Sequence, residues 1–107
     1  MRARPTALGW IADEVSEAPE WDAAQLQRLA RHLGYAMVWP AASLLALPDL
    51  VREADVDAVL TPSTEHIDAL TLNAVMAVAD VETVLPRLSF AKWPDFNLRK
   101  GLGCSIF

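Results

Sequence analysis

Three apolar runs of the chain end in proline: Tyr35-Ala36-Met37-Val38-Trp39-Pro40, Asp57-Ala58-Val59-Leu60-Thr61-Pro62 and Val81-Glu82-Thr83-Val84-Leu85-Pro86. Proline cannot donate to a sheet ladder and holds its predecessor extended, so each run reads as a strand with a fixed stop. The middle run is nearly continuous Ala, Val and Leu, as expected of a strand buried on both faces. A fourth strand is predicted over Ala7-Leu8-Gly9-Trp10-Ile11-Ala12. Between the runs the apolar period changes to that of a helix. Leu26, Leu29, Ala30 and Leu33 follow i, i+3, i+4, i+7, with Pro19 in the first turn, Glu20 and Asp22 beside it, and Gly34 as the stop. Leu47, Leu50, Val51 and Ala54 repeat the pattern behind Pro48, and Leu72, Val75, Met76 and Ala79 repeat it again.

Strands alternating with helices predict an α/β fold in three layers: a mainly parallel four-stranded sheet with helices on both faces. This domain is expected to occupy residues 1–86. Residues 87–107 hold Trp93, Pro94, Gly101 and Gly103 without a clear period and read as an irregular C-terminal tail.

Composition narrows the function classes. At 107 residues, 53% hydrophobic and 21% charged, the chain is one globular domain. One cysteine rules out a disulfide framework, and with only two histidines no Cys/His zinc cage or other metal site is expected. No apolar run reaches about 18 residues, so no membrane span is expected. Met1 to Leu8 is too short for a signal h-region, and a reduced, cytoplasmic setting follows as the expectation. A net charge of −5 argues against nucleic-acid binding by the isolated chain. The charge is uneven: Glu53, Asp55, Asp57, Glu65, Asp68, Asp80 and Glu82 form an acidic stretch, whereas Arg87, Lys92, Arg99 and Lys100 make the tail basic.

Ligands of open α/β sheets sit beyond the carboxyl ends of strands. The polar residues there are Ser16, Ser43, Ser63, Glu65 and His66, which are the candidate ligand-binding residues. Ser63-Thr64-Glu65 equally suits a helix N-terminus, so capping competes with function. Ser16 or Ser63 with His66 and Asp68 has the residue types of a nucleophilic triad, but no Gly-x-Ser-x-Gly elbow exists. The one Gly-x-Gly, Gly101-Leu102-Gly103, precedes no helix, so no nucleotide or other cofactor is expected. Cys104-Ser105-Ile106-Phe107 has the outline of a prenylation box and reads as a passive end. Trp10, Trp21 and Trp39 are expected in the core, and Trp93 in the tail.

Several phrases, taken in order, carry a resemblance. The opening Gly9-Trp10-Ile11-Ala12-Asp13-Glu14-Val15-Ser16 is followed by a helix running Gln25 to Gly34. Leu47-Pro48-Asp49-Leu50 then starts the next helix, and the buried strand Ala58-Val59-Leu60-Thr61 exits through Pro62-Ser63-Thr64-Glu65-His66-Ile67-Asp68. Over roughly residues 7–86 this resembles the catalytic domain of the serine recombinases, the resolvase/invertase family. More closely it resembles short stand-alone proteins of high-GC Gram-positive bacteria that look like degenerate relatives of that domain. Val15-Ser16, Leu33-Gly34-Tyr35 and Asp80-Val81-Glu82-Thr83-Val84 are among the shared phrases. The resemblance implies a resolvase-like fold, with Ser16 near the position of the recombinase nucleophile. It does not imply the chemistry. The family's first-strand arginine falls at Ala12, and the arginines of its Asp-Arg-x-x-Arg exit fall at Glu65 and Asp68, where carboxylates would repel a phosphate.

The expected function is therefore a non-catalytic protein-interaction or self-association module. The alternatives are a small ligand-binding domain or enzyme using the strand-end cluster, and an accessory regulator of DNA transactions acting through the basic tail. The third helix is apolar almost all round, which predicts cover on both sides and a homodimer through Leu72, Val75, Met76 and Val78, with Phe90 and Trp93 as the competing cover.

Overall fold

A computed structural model describes residues 4–40 and 45–94. The elements are β1 (Thr6–Gly9), α1 (Pro19–Leu33), β2 (Ala36–Val38), α2 (Leu47–Ala54), β3 (Ala58–Thr61), a 3-10 turn (Thr64–His66), α3 (Ala69–Met76), β4 (Asp80–Thr83) and β5 (Ser89–Phe90). The sheet order is β2-β1-β3-β4-β5, with every pairing parallel except β4 with β5. The sheet has five strands, not the four expected. Two residues are too few to show a period, so β5 exists only through its pairing: Val81 faces Phe90 and Glu82 faces Ser89. The start of the segment read as an irregular tail is thus joined to the sheet.

Local chemistry explains the helix limits. Pro19 opens α1, and Gly34 closes it in the left-handed region at φ 86°, where the Tyr35 N–H reaches back 2.8 Å to the Ala30 carbonyl. Asp68 opens α3: one carboxylate oxygen accepts from the Thr71 N–H at 2.8 Å and the other from the Thr71 hydroxyl at 3.1 Å. These hydrogen bonds, the Thr71 N–H foremost, hold the Asp68 carboxyl below its ordinary range. This cap starts α3 at Ala69, three residues before the apolar period begins. Ala77 to Ala79 are turn, not helix.

Strand β3 lies in the middle, with all four residues buried. Its alternate side chains feed two cores. Val59 joins Leu8, Val51, Val75 and Val81 on the side covered by α2 and α3. Ala58 and Leu60 join Ala7, Leu26 and Ala30 on the side covered by α1. Of the three tryptophans expected in the core, two are exposed. Trp10 packs half-buried against the first core, Trp39 is 40% exposed and Trp21 is 58% exposed. Trp39 lies over Gly9, where a Cβ would come within 2.3 Å of its ring.

Candidate functional site

Parallel pairing puts the ends of β1, β3 and β4 at one edge of the sheet, where the chain leaves toward α1, the 3-10 turn and the 84–87 loop. Hydrogen bonds tie these exits together. The Thr61 hydroxyl donates to the Trp10 carbonyl at 2.9 Å. The Val84 and Leu85 N–H groups donate to the Pro62 carbonyl at 3.2 and 2.9 Å. The Trp10 indole N–H donates to the His66 carbonyl at 3.1 Å. The Ala12 N–H donates to His66 Nδ1 at 3.0 Å.

The result is a cleft of about 370 Å³. The β1 exit supplies Val15, Ser16 and Glu17. The first turns of α1 supply Trp21, Asp22 and Gln25. The β3 exit supplies Pro62, Ser63, Glu65 and His66, and the β4 exit supplies Val84 and Leu85. Four of the five predicted site residues, Ser16, Ser63, Glu65 and His66, therefore meet in one place. Ser43 lies outside the described residues, as do Gly101, Gly103 and Cys104.

Geometry gives each polar group a definite state. The Ser16 hydroxyl donates to Asp22 Oδ2 at 2.6 Å. Ser63 is the cap of the 3-10 turn, its hydroxyl oxygen accepting the Glu65 N–H at 3.2 Å. His66 is 8% exposed. Because its Nδ1 accepts a backbone N–H, that nitrogen carries the lone pair, and the proton of the neutral ring sits on Nε2. A serine–histidine–aspartate triad needs Nδ1–H directed at the carboxylate. Here Nδ1 is occupied, and Asp68 serves as the cap of α3. The lining carries Glu17, Asp22 and Glu65 but no lysine or arginine, so the cleft repels anions. Among the described residues no group of three or more His, Cys, Asp and Glu side chains could hold a metal ion. No helix there is long and apolar enough to cross a membrane.

Trp21, Asp22 and Gln25 were not among the expected site residues. The signal was available, since the helix after a strand in a βα unit begins beside that strand's carboxyl end. Leu85 and Trp21 are 72% and 58% exposed and form an apolar rim.

The residues expected to join two chains have mixed surroundings. Val75 is completely buried against the sheet, so it is not available to a partner. Leu72, Met76, Val78 and Phe90 pack half-buried against the same core. Trp93 lies on α3, its backbone N–H donating to the Met76 carbonyl at 2.7 Å and its indole N–H to Asn73 Oδ1 at 3.1 Å. Tail residues thus cover part of α3, while Leu70 stays 84% exposed. Compared with models of known protein families, with curated proteins and with solved structures, the chain matches none.

Proposed function

We propose that the protein is a non-catalytic interaction module that holds its ligand in the strand-end cleft. The observation that carries this reading is the assembly of Ser16, Ser63, Glu65 and His66, from two separate loops, around one cavity with an exposed Trp21–Leu85 rim. Binding is favoured over catalysis because the reactive groups already have structural partners. Ser63 caps the 3-10 turn, Asp68 caps α3, and the His66 ring bridges two loops. The cleft lies where open α/β sheets take ligands, and its size suits a small molecule or a few side chains.

The same features support loss of recombinase chemistry in a resolvase-like frame. By the resemblance, Ala12, Glu65 and Asp68 fall where the family carries its phosphate-clamping arginines, and the carboxylates of the cleft oppose DNA. Incubation with DNA should give no covalent Ser16 adduct.

The test of the binding reading is a fragment titration followed by amide and indole resonances of the full chain. Shifts should cluster at Ser16, the Trp21 indole, Ser63 and His66. A fragment set that moves only resonances elsewhere, or none, refutes it.

A second reading, a homodimer through α3, draws on Leu70, whose side chain is 84% exposed. Light scattering should then give the mass of two chains, falling to one for Leu70→Glu. A monomeric wild-type chain removes this reading and leaves the cleft untouched.

A further inference from the structure

We infer that a groove leading from the cleft along α1 binds an extended peptide segment carrying one basic and one acidic side chain about three residues apart. This rests on the binding reading above and adds the chemistry of the ligand.

The groove follows from the uneven layers. A helix about 10 Å wide covers about two strands spaced 4.8 Å apart. The α1 side chains Leu26 and Ala30 pack on β1 and β3. Among the described residues no second helix lies on that side, so beyond α1 the face of β4 is closed by loop side chains: Glu82 is 8% exposed, with Arg87 at 2.9 Å and the Ser89 hydroxyl donating to it at 3.1 Å. The β4 residues on that face are Asp80 and Glu82, in register with Ala58 and Leu60. Beside the cleft lies a second hollow of about 410 Å³, lined by Gln25, Arg28, Leu29, His32, Val84 and Arg87. Gln25 and Val84 line both hollows, so the two adjoin along α1.

The two halves carry opposite charge. Glu17, Asp22 and Glu65 line one, and Arg28 and Arg87 the other, with the His32 imidazole beside them. Arg87 is already paired with Glu82 at 2.9 Å, so Arg28 remains to receive a ligand carboxylate. Arg28 lies about 9 Å beyond Asp22 along the α1 axis and about 120° round it, so three residues of extended chain, about 10 Å, are the shortest span between the two charges.

His66 adds a second kind of evidence. It is more than nine-tenths buried and lines the cleft, and with Nδ1 occupied its Nε2–H has no acceptor among the described residues. A peptide brings a carbonyl acceptor together with its cation, whereas a bare amine brings none. The exposed Trp21 ring suits the stem and charge of an arginine or lysine.

The experiment is fluorescence anisotropy on the full chain with labelled Ala-Arg-Ala-Ala-Glu-Ala and its reverse, Ala-Glu-Ala-Ala-Arg-Ala. At least one should bind about ten-fold or more tightly than a peptide with citrulline and glutamine in place of the charges, and salt should weaken it. Glu65→Lys and Arg28→Glu, both at exposed positions, should each remove that advantage. For Arg28→Glu, replacing the peptide's glutamate by lysine should restore it. Equal binding of the uncharged peptide, or indifference to Arg28→Glu, overturns the inference and leaves the cleft reading standing. If no peptide binds, the inference is equally overturned, and the fragment titration then decides whether the cleft reading falls with it.

Discussion

Replacing His66 separates the two things that its ring does. It fills space between the β1 and β3 exits, and it accepts the Ala12 N–H at 3.0 Å. Both residues are buried, Ala12 and His66 each at 8% exposure, so water is a poor substitute at the orphaned amide. His66→Phe keeps ring volume and removes the acceptor, which should cost about 1–3 kcal/mol, the penalty for a buried donor left without a partner. His66→Ala removes the ring as well. The lost contacts and the cavity add roughly 2 kcal/mol, for a total of about 3–5 kcal/mol. In a domain of this size each kcal/mol lowers Tm by roughly 4–8 °C. His66→Phe should therefore melt clearly below wild type, and His66→Ala lower still. Urea unfolding followed by tryptophan emission gives the free energies, and amide exchange at Ala12 reports the bond directly. If His66→Phe matches wild type within about 0.5 kcal/mol and Ala12 exchange is unchanged, the bond contributes nothing and the account of how the cleft is held is wrong.

Val59→Asp places an unpaired charge at a fully buried position of the middle strand and should cost several kcal/mol, enough to unfold a marginal domain; melting near the wild-type temperature would refute the assigned position of β3. Gly9→Ala sets a methyl against the ring of Trp39 and should lower stability by about 1–2 kcal/mol while changing Trp39 emission, because the ring must move; unchanged emission would mean that the ring does not pack there. Asp68→Asn tests the cap by its pH dependence. The Asp68 carboxyl is lowered in the folded chain from an ordinary value of 3.8, so its contribution is present above that value and is lost as pH falls through the lower folded value. Wild type should lose more stability than Asp68→Asn on acidification below about pH 4, and parallel acid curves would show that the carboxylate is not stabilised by folding.

Element type was legible wherever the chemistry is local. Pro19, Pro48 and Gly34 mark helix limits through their own backbone preferences, and the run Ala58–Thr61 declares its burial because both of its faces are apolar. Strand β4 also carried a readable signal in the run from Val81 to Leu85 stopped by Pro86, although it begins at Asp80 and buries Glu82 at 8% exposure. The positions of Ser16, Ser63, Glu65 and His66 after strands followed from the α/β order, since parallel strands end at a common edge. What the sequence left open depends on contacts between distant segments. Two residues at 89–90 become a strand only because β4 offers an unpaired edge. Trp21 is exposed, although an indole has every hydrophobic reason to be buried, because its place on α1 turns it toward the mouth of the cleft. The tautomer of His66 was undecided until the Ala12 N–H, 54 positions away, met Nδ1. The hollow beside the cleft has no motif at all: its walls come from α1 and from the loop that carries Val84 and Arg87, segments far apart in sequence that meet only when the layers are assembled.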